Sequence, residues 1–233
     1  MVYNWSINIQ HCLLCDEPCD GHPLCGPCEA ELPWLDGRCA TCAVPMPTRG
    51  LVCGECQKRP PSYDHVEVPW RFAFPVDALI TRFKHQARWP FGRLLGERLA
   101  LHLQHAFTEG LPQPDLLVPV PLARRRLRQR GFNQAQMLAR WLGGLKLPVD
   151  EHLLERVVDT PPQQQLDAAT RRRNLRQAFC LAPGTDIKGR HLALIDDVLT
   201  TGATAEALAR LLKRAGAVRV DVYCLARTPK PGD

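Results

Sequence analysis

One stretch near the C-terminus, HLALIDDVLTTGATAEALARLLKRAG from His191 to Gly216, constrains this chain more than any other. Leu192, Ala193, Leu194 and Ile195 form an apolar run without alternation, the pattern of a strand buried on both faces of a parallel sheet. Two adjacent carboxylates, Asp196 and Asp197, are expected to end that strand. Thr200, Thr201, Gly202, Ala203 and Thr204 follow after Val198 and Leu199, small residues that let backbone N–H groups come close to a ligand. From Thr204 the period turns helical, with Leu208, Leu211 and Leu212 on one face and Lys213 and Arg214 in the last turn, where cations suit the helix dipole. Gly216 is the expected stop.

Strand, acid pair, hydroxyl-rich loop and helix start together describe an anion site, because loop amides and the positive end of the helix converge on one point. An ionised Asp is a pure acceptor, so two of them suit the vicinal hydroxyls of a ribose. The guest this predicts is a phosphorylated sugar. The alternative is an ordinary strand-to-helix turn with an acidic edge. A Walker-type loop is excluded, since no G-x-x-x-x-G-K-[ST] pattern occurs here. The stretch resembles the ribose-phosphate signature of type I phosphoribosyltransferases, two acids followed by T-T-G-x-T.

The net charge of +6 means more when located than when summed. Arg124, Arg125, Arg126, Arg128 and Arg130 form one cluster, and Arg171, Arg172, Arg173 and Arg176 a second. Two such clusters imply a polyanionic partner, a phosphorylated small molecule or nucleic acid, against the alternative of a solvated charged face. No window approaches about 18 uninterrupted apolar residues, so no membrane insertion is expected. The opening MVYNWSINIQ has neither the basic start nor the apolar centre of a secretory leader, which makes the cytoplasm the expected location.

Eleven cysteines in such a chain point to metal before disulfides. Eight fall into four C-x-x-C pairs: Cys12 with Cys15, Cys25 with Cys28, Cys39 with Cys42, and Cys53 with Cys56. Each half of this repeat supplies four thiolates, the closed set that structural zinc prefers. Consecutive knuckles give two zinc ribbons, while a cross-braced pairing remains open on spacing. His11, Cys19 and His22 are spare ligands or free surface residues. A segment this poor in large apolar residues draws its folding free energy from zinc. Cys180 and Cys224 lie among apolar neighbours and read as small hydrophobes.

These features divide the chain into a double zinc ribbon at 1–58, a stiff joint at 59–64, an α/β domain at 65–228 and a tail at 229–233. In the α/β domain His65–Trp70 reads as an edge strand, and Pro75 opens a helix with Val76, Leu79, Ile80 and Phe83 on one face that yields at Pro90. A second helix runs from Phe91 to Phe107; His85, His102 and His105 show no ligand spacing. DLLVPV from Asp115 to Val120 is a buried strand followed by a basic loop, then a helix carrying Phe132, Met137, Leu138 and Leu142. Arg suits that loop because its planar fork binds phosphate oxygens bidentately. Leu147–Val158 holds a short strand or a turn of helix, and VRVDVYCL, from Val218 to Leu225, is a late alternating strand. Between them, Thr160–Thr170 and the arginines after it read as a functional lid, the alternative being a disordered insertion. Alternating strands and helices predict a doubly wound parallel sheet with its ligand at the carboxyl ends of the strands.

Four blocks together, the cysteine repeat, VPVPLARRRLRQRGFNQA (Val118 to Ala135), TPPQQQLDAATRRRNLRQAF (Thr160 to Phe179) and LIDDVLTTGAT (Leu194 to Thr204), resemble the competence-associated ComF (GntX) family over nearly the full chain. The resemblance implies a type I phosphoribosyltransferase-like fold behind a small N-terminal double zinc-ribbon module, with phosphoribosyl pyrophosphate as ligand. Asp196 and Asp197 would hold the ribose hydroxyls and serve as the catalytic acids. Thr200, Thr201, Gly202, Ala203 and Thr204 would cradle the 5-phosphate. Val120, Pro121, Arg124 and Arg130 would meet the pyrophosphate, and Arg171, Arg172, Arg173 and Asn174 would close as a lid. Two structural zincs and magnesium are the implied cofactors. The implied setting is DNA uptake, natural transformation or use of DNA as nutrient, with single-stranded DNA and proteins of the uptake machinery as partners. Trp70, Trp89 and Phe132 are base-stacking candidates, or core. A phosphoribosyltransferase of nucleotide metabolism and a non-catalytic ligand-sensing regulator are the alternatives.

Overall fold

The computed structural model describes residues 10–19, 21–157 and 178–229. Its N-terminal part holds β1 (Gln10–His11), β2 (Pro18–Cys19), α1 (Gly26–Ala30) and α2 (Gly54–Lys58). There follow β3 (His65–Glu67), β4 (Trp70–Arg71), α3 (Val76–Gln86), α4 (Trp89–Thr108), β5 (Leu116–Pro119), α5 (Arg124–Arg130) and α6 (Gln134–Trp141). The last elements are β6 (Leu154–Arg156), β7 (Phe179–Leu181), β8 (His191–Leu199), α7 (Ala203–Arg214) and β9 (Arg219–Arg227).

The central sheet is parallel throughout, in the order β3, β9, β8, β5, with β4 also paired to β9. Leu192 and Leu194 face one core, with Val220, Val222 and the α7 residues Leu208 and Leu212. Ala193 and Ile195 face the other, with Leu225, Phe83 of α3, Leu99 of α4 and Leu138 of α6. A strand covered on both faces gains nothing from alternation, which is why β8 reads as an unbroken apolar run. The doubly wound α/β class expected from the sequence is therefore the one found.

Four details differ from the sequence reading. β8 does not end at the acid pair; its ladder continues through Asp196↔Cys224 to Leu199↔Arg227, because β9 runs on beside it. The alternation read in β9 does not separate a buried from an open face: Val220 to Ala226 are all inaccessible. Val220, Val222 and Cys224 enter the core on one face of the sheet, and Tyr223, Leu225 and Ala226 the core on the other. The strand's one buried carboxylate, Asp221, is met by His191 Nε2 at 2.9 Å and by Arg219 Nε. The basic segment after β5 is itself a short helix, α5, with no buried residue, stopped by Gly131 at φ 81°. The α3 helix breaks earlier than Pro90, at the left-handed Ala87, and Pro90 sits in the first turn of α4, where its missing N–H costs nothing.

The cysteine-rich part wraps the β3–β4 edge of the sheet. Leu35 N donates to Pro69 O and Arg71 N to Pro33 O, and Trp34 packs on the fully buried Trp70 at a centroid distance of 5.6 Å. Glu67 of β3 carries the charge of this joint and is 2% exposed. Arg38 Nη2 from the cysteine region and His102 Nε2 from α4 each lie 2.6 Å from its Oε1, and His65 Nε2 lies 2.9 Å from Oε2. Burial alone would raise the Glu67 carboxyl; these partners overcome it and hold it well below the usual carboxylate range.

Removing one member of a buried ion cluster leaves the others uncompensated, at a cost of about 3–5 kcal/mol. Glu67→Gln is expected to destabilise by about that much in urea unfolding at neutral pH. Because the folded-state carboxyl is depressed, the wild-type advantage is complete above the unfolded value near pH ~4.3 and is lost as the pH falls below it. A variant whose deficit is the same at pH 7 and pH 2 would contradict this account.

Candidate functional site

β5 and β8 are neighbours, and Val120 N donates to Ile195 O at 2.9 Å, so the loops that leave their carboxyl ends open on one crevice. Asn133, which is 5% exposed, shapes the first loop by donating from Nδ2 to Val120 O while its Oδ1 accepts from Ala135 N and caps α6. Pro121 is half-buried in this loop.

In the second loop Thr200 and Thr201 are exposed and Gly202 is buried. Gly202 must be glycine: its φ is 74°, and a Cβ there would lie 3.3 Å from the Tyr63 hydroxyl. The helix starts at Ala203, one residue earlier than the sequence period indicates. Thr201 Oγ1 stands 3.4 Å from Ala203 N. First-turn amides such as those of Thr204 and Ala205 have no acceptor within the helix and point toward the loop.

The acid pair is divided between the two faces of β8, since adjacent strand residues alternate. Asp196 follows Leu192 and Leu194 toward the α7 side; Asp197 follows Ala193 and Ile195 toward α3. Asp196 Oδ1 accepts from Asp197 N, and Asp197 Oδ1 from Val198 N. Asp197 is 4% exposed, and its Oδ2 lies 2.7 Å from Lys84 Nζ. Burial pushes the half-buried Asp196 up to about 6, against the opposing field of Lys84.

Cations approach this acid pair from two elements. Burial lowers Lys84 to about 8; Asp196 works against that lowering, while Arg130 and Arg126 add to it. Burial and Arg126 likewise lower Arg130, which also binds Gln134 Oε1 through Nη1. Arg126 and Arg130 are thus the α5 arginines whose fields reach Lys84; Arg130 is half-buried, whereas Arg126 and Arg124, the other arginine singled out in the sequence, are exposed on α5. Lys84 was missed. Its signal was weak, a lone Lys directly after the buried Phe83 in LITRFKHQ. Arg171, Arg172, Arg173 and Asn174 lie outside the described residues, between β6 and β7, which pair antiparallel and whose flanks are joined by Val157 N to Ala178 O. Trp70 and Phe132 are core, whereas Trp89 is 43% exposed in a groove with Trp141 and Met137.

The cysteines gather as consecutive knuckles. Cys12, Cys15, Cys25 and Cys28 form one cluster and Cys39, Cys42, Cys53 and Cys56 the other, with all ligand atoms of a cluster within 4.8 Å. This overturns the cross-braced alternative and leaves His11, Cys19 and His22 outside both sets. Two closed sets of four thiols, with no disulfide among the eleven cysteines, are the donor sets of structural zinc. In each cluster one thiol is prepared for metal. Burial opposes ionisation of Cys12, but the amides of Cys15, Cys25 and Leu14 bring it down to about 6. Those of Cys42, Cys53 and Thr41 bring Cys39 down to about 7 against the same penalty.

The second cluster touches the crevice. Arg227 of β9, 7% exposed, donates from Nε to Cys42 O at 2.9 Å and from Nη1 to Leu199 O at 2.9 Å and to Thr200 O. Ser62 donates from N and Oγ to the Glu206 carboxylate in the first turn of α7, at 2.7 and 2.9 Å. The second cluster and the chain that leaves it therefore brace the loop between β8 and α7.

Two outcomes follow. Purified protein is expected to carry two zinc ions per chain by metal analysis, and Cys53→Ser one. Asp196 is raised, so its charge costs stability that is absent below the unfolded value near pH ~3.9 and complete above about pH 6. Asp196→Asn is expected to be more stable than wild type by roughly 1–2 kcal/mol at pH 7.5, with the gain vanishing at pH 4. Thermal melts at the two pH values check the sign.

A sequence model of the Phosphoribosyl transferase domain matches residues 128–232. The DNA utilization protein YhgH of Escherichia coli is 38% identical over 224 residues, which cover 93% of this chain and 96% of that protein. Competence protein F of Haemophilus influenzae is 35% identical over 222 residues, 93% of this chain and 90% of that protein. Competence protein ComFC of Bacillus subtilis is 27% identical over 223 residues, 88% of this chain and 84% of that protein.

Proposed function

Because the chain belongs to the family of these competence and DNA utilization proteins and carries a phosphoribosyltransferase-type domain, we propose that it binds phosphoribosyl pyrophosphate with magnesium and acts on DNA taken up into the cytosol. The observation that carries this reading is the crevice between β5 and β8. Lys84 pairs there with Asp197 and feels the fields of Asp196, Arg126 and Arg130, and the small-residue loop follows directly at the end of β8. Asp196 and Asp197 accept from the ribose hydroxyls. The loop from Thr200 to Thr204 takes the 5-phosphate on its amides and hydroxyls, and Arg126 and Arg130 with the Val120–Pro121 turn face the pyrophosphate.

Asp196 and Asp197 carry hard carboxylate oxygens, the donor type that magnesium accepts directly or through water; Asp196 is the half-buried one, while Asp197 is buried against Lys84. When bound, the metal supplies charge neutralisation on the pyrophosphate. The protein's share of a pentosyl transfer is then positioning, placement of guanidinium charge on the leaving group, and exclusion of water.

The basic α5 helix supports the nucleic-acid half of the reading. It has no buried residue, and a phosphate backbone laid across its arginines would release counterions and bind in a salt-dependent way. Among the described residues no helix is long and apolar enough to cross a membrane.

Calorimetric titration of phosphoribosyl pyrophosphate with magnesium is expected to give binding to wild type and at least a tenfold loss for the Asp196→Asn/Asp197→Asn double variant. Adding a single-stranded oligonucleotide is expected to compete with it. No heat with wild type removes the sugar-phosphate reading; binding unaffected by the oligonucleotide separates the two ligands. Pyrophosphate release in an acceptor screen would distinguish a turning-over transferase from a sensor.

A further inference from the structure

Asp197 is assigned above to a ribose hydroxyl, yet it already has a partner. Lys84 Nζ lies 2.7 Å from its Oδ2, the lysine side chain 21% and the aspartate 5% accessible. The ammonium lies where the fields of Arg126 and Arg130 both oppose it. A third cation in such a place is tolerated because anions hold it: Asp197 stands in direct ion-pair contact with Lys84, and Asp196 adds its field.

A sugar hydroxyl that donates to Asp197 competes with this ion pair. Breaking the pair without replacing it strands a buried ammonium beside two guanidiniums, which is costly. A ligand that also brings a pyrophosphate supplies the replacement anion. Lysine suits such an exchange, since its compact charge sits on a flexible stem and its three donors are not committed to one plane.

We propose that Lys84 is an exchanging counter-ion that neutralises Asp197 while the crevice holds solvent and passes to the pyrophosphate group when ribose hydroxyls take up that carboxylate. This rests on the sugar-phosphate reading above and makes Lys84 the residue that selects pyrophosphorylated over plain sugar phosphates. Ribose 5-phosphate must break the ion pair without compensation; phosphoribosyl pyrophosphate breaks it and refills it.

The test is titration of three probes, phosphoribosyl pyrophosphate, ribose 5-phosphate and inorganic pyrophosphate, against wild type, Lys84→Met, Lys84→Gln and Lys84→Arg, each checked for folding by circular dichroism. Lys84→Met is expected to lose tenfold or more for both pyrophosphate-bearing probes, while ribose 5-phosphate binds as well as to wild type or up to threefold more tightly. Lys84→Gln, which still hydrogen-bonds Asp197, is expected to behave in the same direction and stands in if the methionine variant fails to fold. Lys84→Arg is expected to keep the wild-type preference within about threefold.

A uniform loss across all probes would make Lys84 a structural ion-pair partner and overturn the proposal, as would no change in any. If wild type binds neither sugar phosphate, the sugar-phosphate reading fails. The lysine assignment is then decided by inorganic pyrophosphate, which it requires to bind wild type at least tenfold more tightly than Lys84→Met.

Discussion

A carboxylate that leaves water must take a cation with it, and this constraint organises the molecule. Asp197 is held by Lys84, Glu67 by Arg38, His65 and His102, and Asp221 by His191 and Arg219. Each acid sits on a strand; Lys84 reaches Asp197 from α3, and Arg38 and His102 reach Glu67 from outside the sheet, while His65 is on β3 itself. Asp197 ties α3 to β8, and Glu67 ties the cysteine region and α4 to β3. The charges that look like surface decoration in the sequence are the fasteners between layers.

The cysteine clusters obey a related rule. Neither half of the repeat has enough large apolar side chains to bury on its own, so each leans on the sheet domain. Cys12, Leu24 and Leu32 join the core under α4, while Cys39, Cys42, Cys53 and Cys56 join the core of α7. Arg227 extends the second contact by spanning a cysteine carbonyl and the carbonyls that open the phosphate loop. The metal-type knuckle and the anion-type loop thus share one buried guanidinium.

Much of this was legible in the sequence because it is local. The unbroken apolar run of β8, the four C-x-x-C pairs and the small-residue loop at Thr200–Thr204 each carry their meaning within a few positions. What escaped was long-range. The alternation in VRVDVYCL pointed to a one-sided strand, because Asp221 looks polar until His191 and Arg219 are seen to neutralise it. Lys84 and Arg227 carry no motif; each acquires its role from an acid or a carbonyl more than 25 residues away in sequence. The length of β8 was underestimated for the same reason, since its neighbour β9 sets where the ladder stops.

The middle of the sheet is supplied by the final stretch of the chain. β9 separates β3 from β8 and lies between two strands that both precede it in the chain. While a ribosome is still extending the polypeptide, β3 and β8 therefore have no shared neighbour, and the Cys42 carbonyl waits for a guanidinium yet to emerge. Assembly of the α/β core is in effect postponed until β9 has emerged, with non-local pairings formed last and slowly. A stop codon ahead of β9 would take out the hub of the sheet.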